Sequence, residues 1–244
     1  MSAPLFLVDE LPAGETCTLA GAEGHHAADV QRVRPGSPVV LADGRGGTVS
    51  ATVASVAKGS VVLILGARST VPAPDPSLTV VQGLPKGDRG ELAVQAMTEV
   101  GVDEIIPWSA TRCVTQWRGD RGLKSRAKWV STAREAAKQS RRPWLPMVAG
   151  APDLSTRQVG GRLAGAAAAF VLHEDADVPL TGVPLPATGE IALVVGPEGG
   201  ITEDEIEAFV AVGARPVKLG DAVLRTSTAG VAALAVLSAR LNRW

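Results

Sequence analysis

The strongest signals for chemistry in this chain are two glycine-rich segments, each placed between an apolar run and the start of a helix. The first is Gly196-Pro197-Glu198-Gly199-Gly200, directly after Ile191–Val195. Glycine accepts positive φ angles and lets a ligand approach the backbone closely. A loop at the carboxyl end of a parallel strand is also the general ligand position in open α/β sheets. No Lys-Ser or Lys-Thr follows at the spacing of a phosphate-binding P-loop, and GxGxxG is absent. The competing reading is a tight strand-to-helix turn that binds nothing.

The second segment runs Val217-Lys218-Leu219-Gly220-Asp221-Ala222-Val223-Leu224-Arg225-Thr226-Ser227-Thr228-Ala229-Gly230. Two such loops on neighbouring strands can enclose a small molecule with backbone N–H and C=O groups. Thr226, Ser227 and Thr228 suit helix capping, Thr228 above all. Arg225, beside an apolar loop, needs an anion: a carboxylate, an RNA phosphate or a developing negative charge. A third segment, Lys86-Gly87-Asp88-Arg89, places basic residues where a helix begins and anions are favoured. His25 and His26 could touch RNA or could be ordinary surface or core histidines. Cys17 and Cys113 lie far apart with only His25, His26 and His173 as further imidazoles, so no structural zinc is expected and the thiols read as reduced.

The elements that must position these loops follow from the apolar pattern. Up to residue 70, short apolar runs alternate with glycine turns: Val39–Leu41 and Val49–Val56 flank an Asp43–Gly44 turn signal, and Val61–Leu65 adds a strand. This predicts a small strand-rich domain, a barrel. Residues 71–76 lie in the proline-rich stretch TVPAPDP and read as a linker. From residue 77 to 244 strands and helices alternate, the signature of a parallel α/β sheet. Expected strands are Leu78–Gln82, Asp103–Pro107, Ala166–Leu172, Ile191–Val195 and Pro216–Leu219. An expected helix Arg89–Val100 buries Leu92, Ala93, Ala96 and Val100, and a basic helix Lys124–Gln139 buries Ala127, Val130, Ala133 and Ala137. Thr202-Glu203-Asp204-Glu205 is a capping box opening a helix that buries Ile206, Phe209 and Val210. The last helix, Thr228–Leu241, is apolar almost all round, so a subunit interface would have to cover its second side.

The 244 residues carry a net charge of only −1, but the charges are segregated. Between Arg112 and Arg142 there are ten Lys/Arg and two acids, whereas Leu163–Ala214 contains no Lys or Arg. One face is thus attractive to a polyanion. Trp108, Trp117, Trp129 and Trp144 lie in or beside the basic stretch. Exposed, they would stack RNA bases; otherwise they belong to the core. The opening residues lack a secretory signal and nothing resembles a membrane span, so a cytoplasmic protein is expected.

These segments, in this order, resemble the bacterial 16S ribosomal RNA uracil-N3 methyltransferases of the SPOUT superfamily. The resemblance covers essentially the whole chain and rests on HHAADVQRVRPG, LADGRG, KGDRGELAVQAMTEVGVDEIIP, REAAKQSRRPWLP, LVVGPEGGITEDEIEAF and VKLGDAVLRTSTA. It implies an α/β protein with a PUA-like N-terminal β-barrel and a C-terminal SPOUT domain tied in a deep trefoil knot. It also implies a homodimer joined through the last helix. S-adenosylmethionine, with no metal, would be held by Leu172, His173, Glu174, Gly196, Pro197, Glu198, Gly200, Leu219, Gly220, Leu224, Arg225 and Thr228. The implied partner is 16S ribosomal RNA of the small subunit, with Arg225 as the expected catalytic cation. Expected RNA contacts are Arg32 and Arg34 on the barrel, Lys86 and Arg89, and then Arg112, Arg118, Arg121, Lys124, Arg126, Lys128, Arg141 and Arg142. In one departure, Ser227 stands where the family usually shows Glu, so no role of that carboxylate carries over. Two rival readings remain: a non-catalytic RNA-binding assembly factor, and a nucleotide-binding α/β enzyme.

Overall fold

The computed structural model describes residues 3–150 and 152–244, and the chain divides into two compact units. The first comprises residues up to Ala73 together with Ala137–Leu145; the second comprises Pro74–Ala136 and Pro146–Trp244.

In the first unit, β1 (Leu5–Leu7), β2 (Thr16–Leu19), β3 (Pro38–Ala42), β4 (Gly47–Ala57) and β5 (Ser60–Thr70) form one sheet in the order β1-β3-β4-β5-β2. All its pairings are antiparallel except β1 with β3. A short helix α1 (Gly21–His25) runs into a π-helical turn, His26–Val30. Alternate residues of the strands (Val39 and Leu41, then Val49, Ala51 and Val53, then Val61 and Leu63) point to a single core with Phe6. Period-2 alternation with one buried face accounts for that pattern. At the Asp43–Gly44 turn the Asp43 carboxylate accepts from the N–H groups of Arg45 (2.7 Å) and Gly47 (3.0 Å).

The second unit is a parallel sheet covered on both faces. Its strands are β6 (Ser77–Gly83), β7 (Glu104–Ser109), β8 (Met147–Val148), β9 (Leu154–Ser155), β10 (Ala168–Leu172), β11 (Glu190–Val195) and β12 (Arg215–Val217). They are ordered β12-β10-β11-β6-β7-β8, with β9 also pairing with β7. The helices are α2 (Arg89–Glu99), α3 (Gly119–Gln139), α4 (Thr156–Ala164), α5 (Glu203–Ala211) and α6 (Thr226–Arg240). Residues of α2, α3 and α6 join Leu78, Val80, Leu193 and Val195 in one core layer. Residues of α4 and α5 join Val81, Ile106, Ala192 and Val194 in the other. Strands buried on both faces read as near-continuous apolar runs, as β11 does from Ile191 to Val195.

Several expected details differ. Helix α2 buries Ala93, Val94 and Met97, while Leu92 is 54% exposed. Helix α3 begins five residues before Lys124; it buries Trp129, Ala133, Ala136 and Ala137 and leaves Ala127 and Val130 exposed. Val210 on α5 is exposed too. The reason is common to all three: apolar residues beside a helical stripe fit its period almost as well as its members, but the sheet meets a strip one residue away. Helix α6 starts at Thr226 rather than Thr228.

Three of the five tryptophans go to the core. Trp108, Trp117 and Trp129 are all under 10% exposed. Trp117 and Trp129 meet edge to face at 4.8 Å, and Trp108 meets Phe209 at 5.3 Å. In the first unit, the indole N–H of Trp144 donates to the Val71 carbonyl at 2.9 Å. Base stacking on the first three is therefore overturned: burying a large apolar ring outweighs displaying it.

Candidate active site

Register brings the two glycine segments together. Leu172 on β10 pairs with Val217 on β12, and Val171 pairs with Val194 on β11, so three parallel strands end at one level. Their following loops open on the same side and enclose a cavity of about 850 Å³. Leu172–Asp175, Gly196–Asp204 and Lys218–Thr226 supply nearly all of its wall.

Each loop is held by identifiable bonds. After β11, the Gly200 N–H donates to the Pro197 carbonyl at 2.9 Å, closing a turn that puts Gly200 at φ +77°. A side chain there would be strained. Thr202 and Glu205 then form the reciprocal capping box of α5. The Glu198 carboxylate accepts from the Lys86 N–H (3.1 Å) and from the Arg89 guanidinium (3.0 Å). Arg112 donates to the Gly199 carbonyl at 3.0 Å. Burial alone would push the Glu198 carboxyl up, but these donors and its own backbone N–H hold it below its ordinary value. Strand β6 also comes very close: a Cβ at Gly83 would sit 2.7 Å from Pro197 N and 3.0 Å from Gly196 C.

Beneath the loop lies a polar hub. Glu205 is 3% exposed. Its Oε1 accepts from the Thr111 N–H (2.8 Å), the Thr111 hydroxyl (2.9 Å) and the Thr156 hydroxyl (3.0 Å). Its Oε2 accepts from the N–H (3.0 Å) and hydroxyl (3.1 Å) of Thr202. The Trp108 indole donates in turn to Thr156. Desolvation favours the neutral acid here, yet the donors of Thr111, Thr202 and Thr156 outweigh it and hold the carboxyl below the usual range. One ionised carboxylate thus pins the loop after β7, the start of α4 and the start of α5.

Of the residues expected at a cofactor, eleven line the cavity: Leu172, His173, Glu174, Gly196, Pro197, Glu198, Gly200, Leu219, Gly220, Leu224 and Arg225. Thr228 does not. It is exposed, and its hydroxyl donates to the Arg225 carbonyl at 3.2 Å, a bond at the helix start. The Arg225 side chain is exposed on the cavity wall, and among the described residues no carboxylate pairs with it. Thr226, which by its sequence position suits a cap, is buried in the wall and donates to the Gly196 carbonyl at 2.8 Å.

The expected RNA contacts separate by environment. Arg112, Arg118, Arg121 and Lys124 are exposed in the second unit, and Arg32 and Arg34 in the first. Lys86 is exposed at the end of β6. Arg89 and Arg112 line the cavity itself. Arg126 is half-buried and donates to the Val148 carbonyl at 2.6 Å; Lys128 pairs with Glu91 at 3.0 Å. Arg141, exposed, takes φ +55°, and Arg142 is half-buried. His25 meets Asp29 at 2.8 Å, and His26 packs on Phe6 and reaches Gln31 at 3.3 Å.

The wall chemistry fits a zwitterionic nucleoside-like cation. Leu172, Pro197, Leu219 and Leu224 supply apolar surface, loop backbone supplies donors and acceptors, and Glu174, Asp175, Glu203 and Asp204 bring negative charge. Replacing Gly83 with alanine should therefore displace the loop and weaken, at least about tenfold, binding of the S-adenosylmethionine that the resemblance implies, because the clash is with backbone that cannot rotate away. Calorimetric titration checks this; unchanged affinity would mean that the loop position is irrelevant to binding.

Comparison with known proteins points the same way. Residues 72–238 match the RNA methyltransferase domain family, and residues 19–66 match the RNA methyltransferase PUA domain family. The chain is 42% identical to ribosomal RNA small subunit methyltransferase E of Mycobacterium bovis, over 100% of this chain and 94% of that protein. The Bacillus subtilis protein of the same name is 30% identical over 95% and 91% of the two chains. A crystal structure of ribosomal RNA small subunit methyltransferase E from Neisseria gonorrhoeae, bound to S-adenosyl methionine, superposes with a TM-score of 0.86. It is 28% identical and covers 98% of each chain.

Proposed function

The chain belongs to the ribosomal RNA small subunit methyltransferase E family, and on that premise we propose that it methylates N3 of a uridine in 16S ribosomal RNA from S-adenosylmethionine. The observation that carries this reading is the 850 Å³ cavity walled by the loops after β10, β11 and β12.

S-adenosylmethionine would supply an electrophilic methyl group by in-line displacement, the S–CH3 bond breaking as the N3–CH3 bond forms, with the imide proton lost and S-adenosylhomocysteine as the leaving group. The protein has mainly to position the two partners. The apolar wall of Leu172, Pro197, Leu219 and Leu224 would take the adenine, and the loop backbone would orient it. Uracil N3 is a weakly acidic imide that becomes nucleophilic when its proton is lost. The unpaired Arg225 guanidinium on the wall would stabilise the developing anion. Arg89 and Arg112, held against Glu198 and Gly199, stand where phosphate or base would enter.

Arg112, Arg118, Arg121 and Lys124 would grip ribosomal RNA, with Arg32 and Arg34 contributing from the first unit. Changing Arg118, Arg121 and Lys124 together to glutamate should weaken binding to small subunits. The log-affinity against log-salt slope should fall by about 2, at ~0.7 for each single-strand phosphate no longer neutralised, and S-adenosylmethionine affinity should not change. Filter binding across salt concentrations measures the slope, calorimetry measures the cofactor, and an unaltered slope would remove these residues from the interface.

A deep trefoil knot in the second unit and a homodimer through α6 belong to the same reading. For the knot, the support is the family membership, and the order β12-β10-β11, in which the chain leaving β11 crosses β10 to reach β12, agrees with it. For the dimer, it is the half-buried face of Val231, Ala232, Ala235 and Val236, with Val223 and Leu224 exposed beside it. Among the described residues no helix is long and apolar enough to cross a membrane, and we place the enzyme with its substrate in the cytoplasm.

The deciding experiment is mass spectrometry of ribosomal RNA from cells lacking the gene, with purified protein added back. Loss of one uridine methyl, restored by protein and S-adenosylmethionine, is expected. An intact methyl, or a chain that binds RNA but shows no heat with S-adenosylmethionine, would leave only an RNA-binding assembly factor.

A further inference from the structure

A loop that holds a ligand through its backbone needs its carbonyls aimed, and glycine has no side chain with which to aim them. Gly196 is held from behind. Its carbonyl accepts from the Thr226 hydroxyl at 2.8 Å, and that hydroxyl accepts from Nε2 of Gln82 at 2.9 Å. The other Nε2 proton goes to the Gly83 carbonyl at 3.1 Å. Gln82 is fully buried in β6, in register with Val195 on β11, and Thr226 is 6% exposed. The chain of bonds therefore joins the end of β6, the head of the loop after β11 and the first residue of α6. Its direction is the same throughout: amide to hydroxyl, hydroxyl to carbonyl. The hydroxyl proton has one place to point.

An amide is an unexpected occupant here. The sheet around it is built from Leu78, Val80 and Val81, all fully buried, and Oε1 of Gln82 is buried without a partner among the described residues. A methionine of similar length would avoid that cost to stability. What the amide adds is orientation. Without the hydroxyl bond, the Gly196 carbonyl loses the hydrogen bond that aims it, and glycine has no side chain to replace that restraint.

We propose that Gln82 and Thr226 are positioning residues for the methyl donor, acting through the Gly196 carbonyl; this rests on the reading of the cavity as the S-adenosylmethionine site. The test is calorimetric titration of the full chain with S-adenosylmethionine. Gln82→Met and Thr226→Val should each weaken binding about tenfold, and Thr226→Ser should stay within about twofold of wild type. The double variant Gln82→Met/Thr226→Val should bind no worse than the poorer single, because either change breaks the same chain. In turnover, KM for S-adenosylmethionine should rise while kcat at saturation stays within about threefold, a split that loosened packing would not produce. Undiminished affinity in folded Thr226→Val, or losses that multiply in the double variant, overturn the proposal. Should Thr226→Val fail to fold, Thr226→Ser and Gln82→Met decide, and a tenfold loss in folded Thr226→Ser overturns it. A wild-type chain that binds no S-adenosylmethionine sinks the reading of the cavity and this proposal together, whereas binding that ignores both substitutions sinks this proposal alone.

Discussion

Arg225→Ala is expected to lower kcat for methylation by about 10²–10³, the range seen when one preorganised donor to a developing anion is removed. S-adenosylmethionine affinity should change by less than about fivefold, because backbone and apolar surface carry most of the wall. The expectation rests on two facts: Arg225 lines the cavity and is exposed, and among the described residues no carboxylate pairs with its side chain. An arginine already paired would have less charge to offer. The pH profile gives a second readout. If Arg225 eases ionisation of the imide, the rate plateau should move to higher pH in the variant, and the deficit should shrink as pH rises. Arg225→Lys should recover part of the rate, since a point charge replaces the fork. Turnover within threefold of wild type for Arg225→Ala would exclude the residue from catalysis.

Glu205→Gln should be the most destabilising conservative change in the second unit, costing about 2–4 kcal/mol. Glutamine keeps one acceptor, but its NH₂ must face either the Thr202 N–H or the donors of Thr111 and Thr156, and donor meets donor. For a chain of this size that lowers the melting temperature by about 4–16 °C. The sign of the pH dependence follows from the lowered carboxyl. In the unfolded chain a glutamate titrates near 4.3, and in the fold it titrates below that. The stabilisation is thus fully present above the unfolded value and is lost as pH falls through the folded one. Urea midpoints of the two proteins should differ most near pH 7 and draw together as pH falls through the lowered folded value of the Glu205 carboxyl. A constant gap across that window would show that the carboxylate charge contributes nothing. Because the hub also pins the loop after β7 and the start of α5, the variant should bind S-adenosylmethionine more weakly even when folded.

Much of the active site is written in local sequence. Gly196–Gly200 and Gly220–Thr226 are recognisable because each combines an apolar run, glycine and a helix start within about a dozen residues. The Thr202–Glu205 capping box is equally local. Strand positions in the second unit are legible for the same reason, since a strand covered on both faces is apolar along most of its length. Burial faces are harder. Leu92, Val130 and Val210 fit a helical stripe as well as the residues that occupy it. A helix shows its period in sequence but not its rotation against a sheet.

What the sequence determined by itself is therefore the kinds of element, the two glycine turns and the segregation of basic from acidic charge, because each depends on neighbours within a turn or two. The tertiary structure alone decided that Glu205 would meet Thr111 and Thr156, that Gln82 would reach Thr226, and that Arg89 would be held by Glu198. It also decided that three tryptophans in a basic stretch would be core. These pairs lie 49 to 144 residues apart and meet because parallel strands from distant parts of the chain end at one level. A side chain carries its own hydrogen-bonding capacity in its formula, but its partner is chosen by strand order and register.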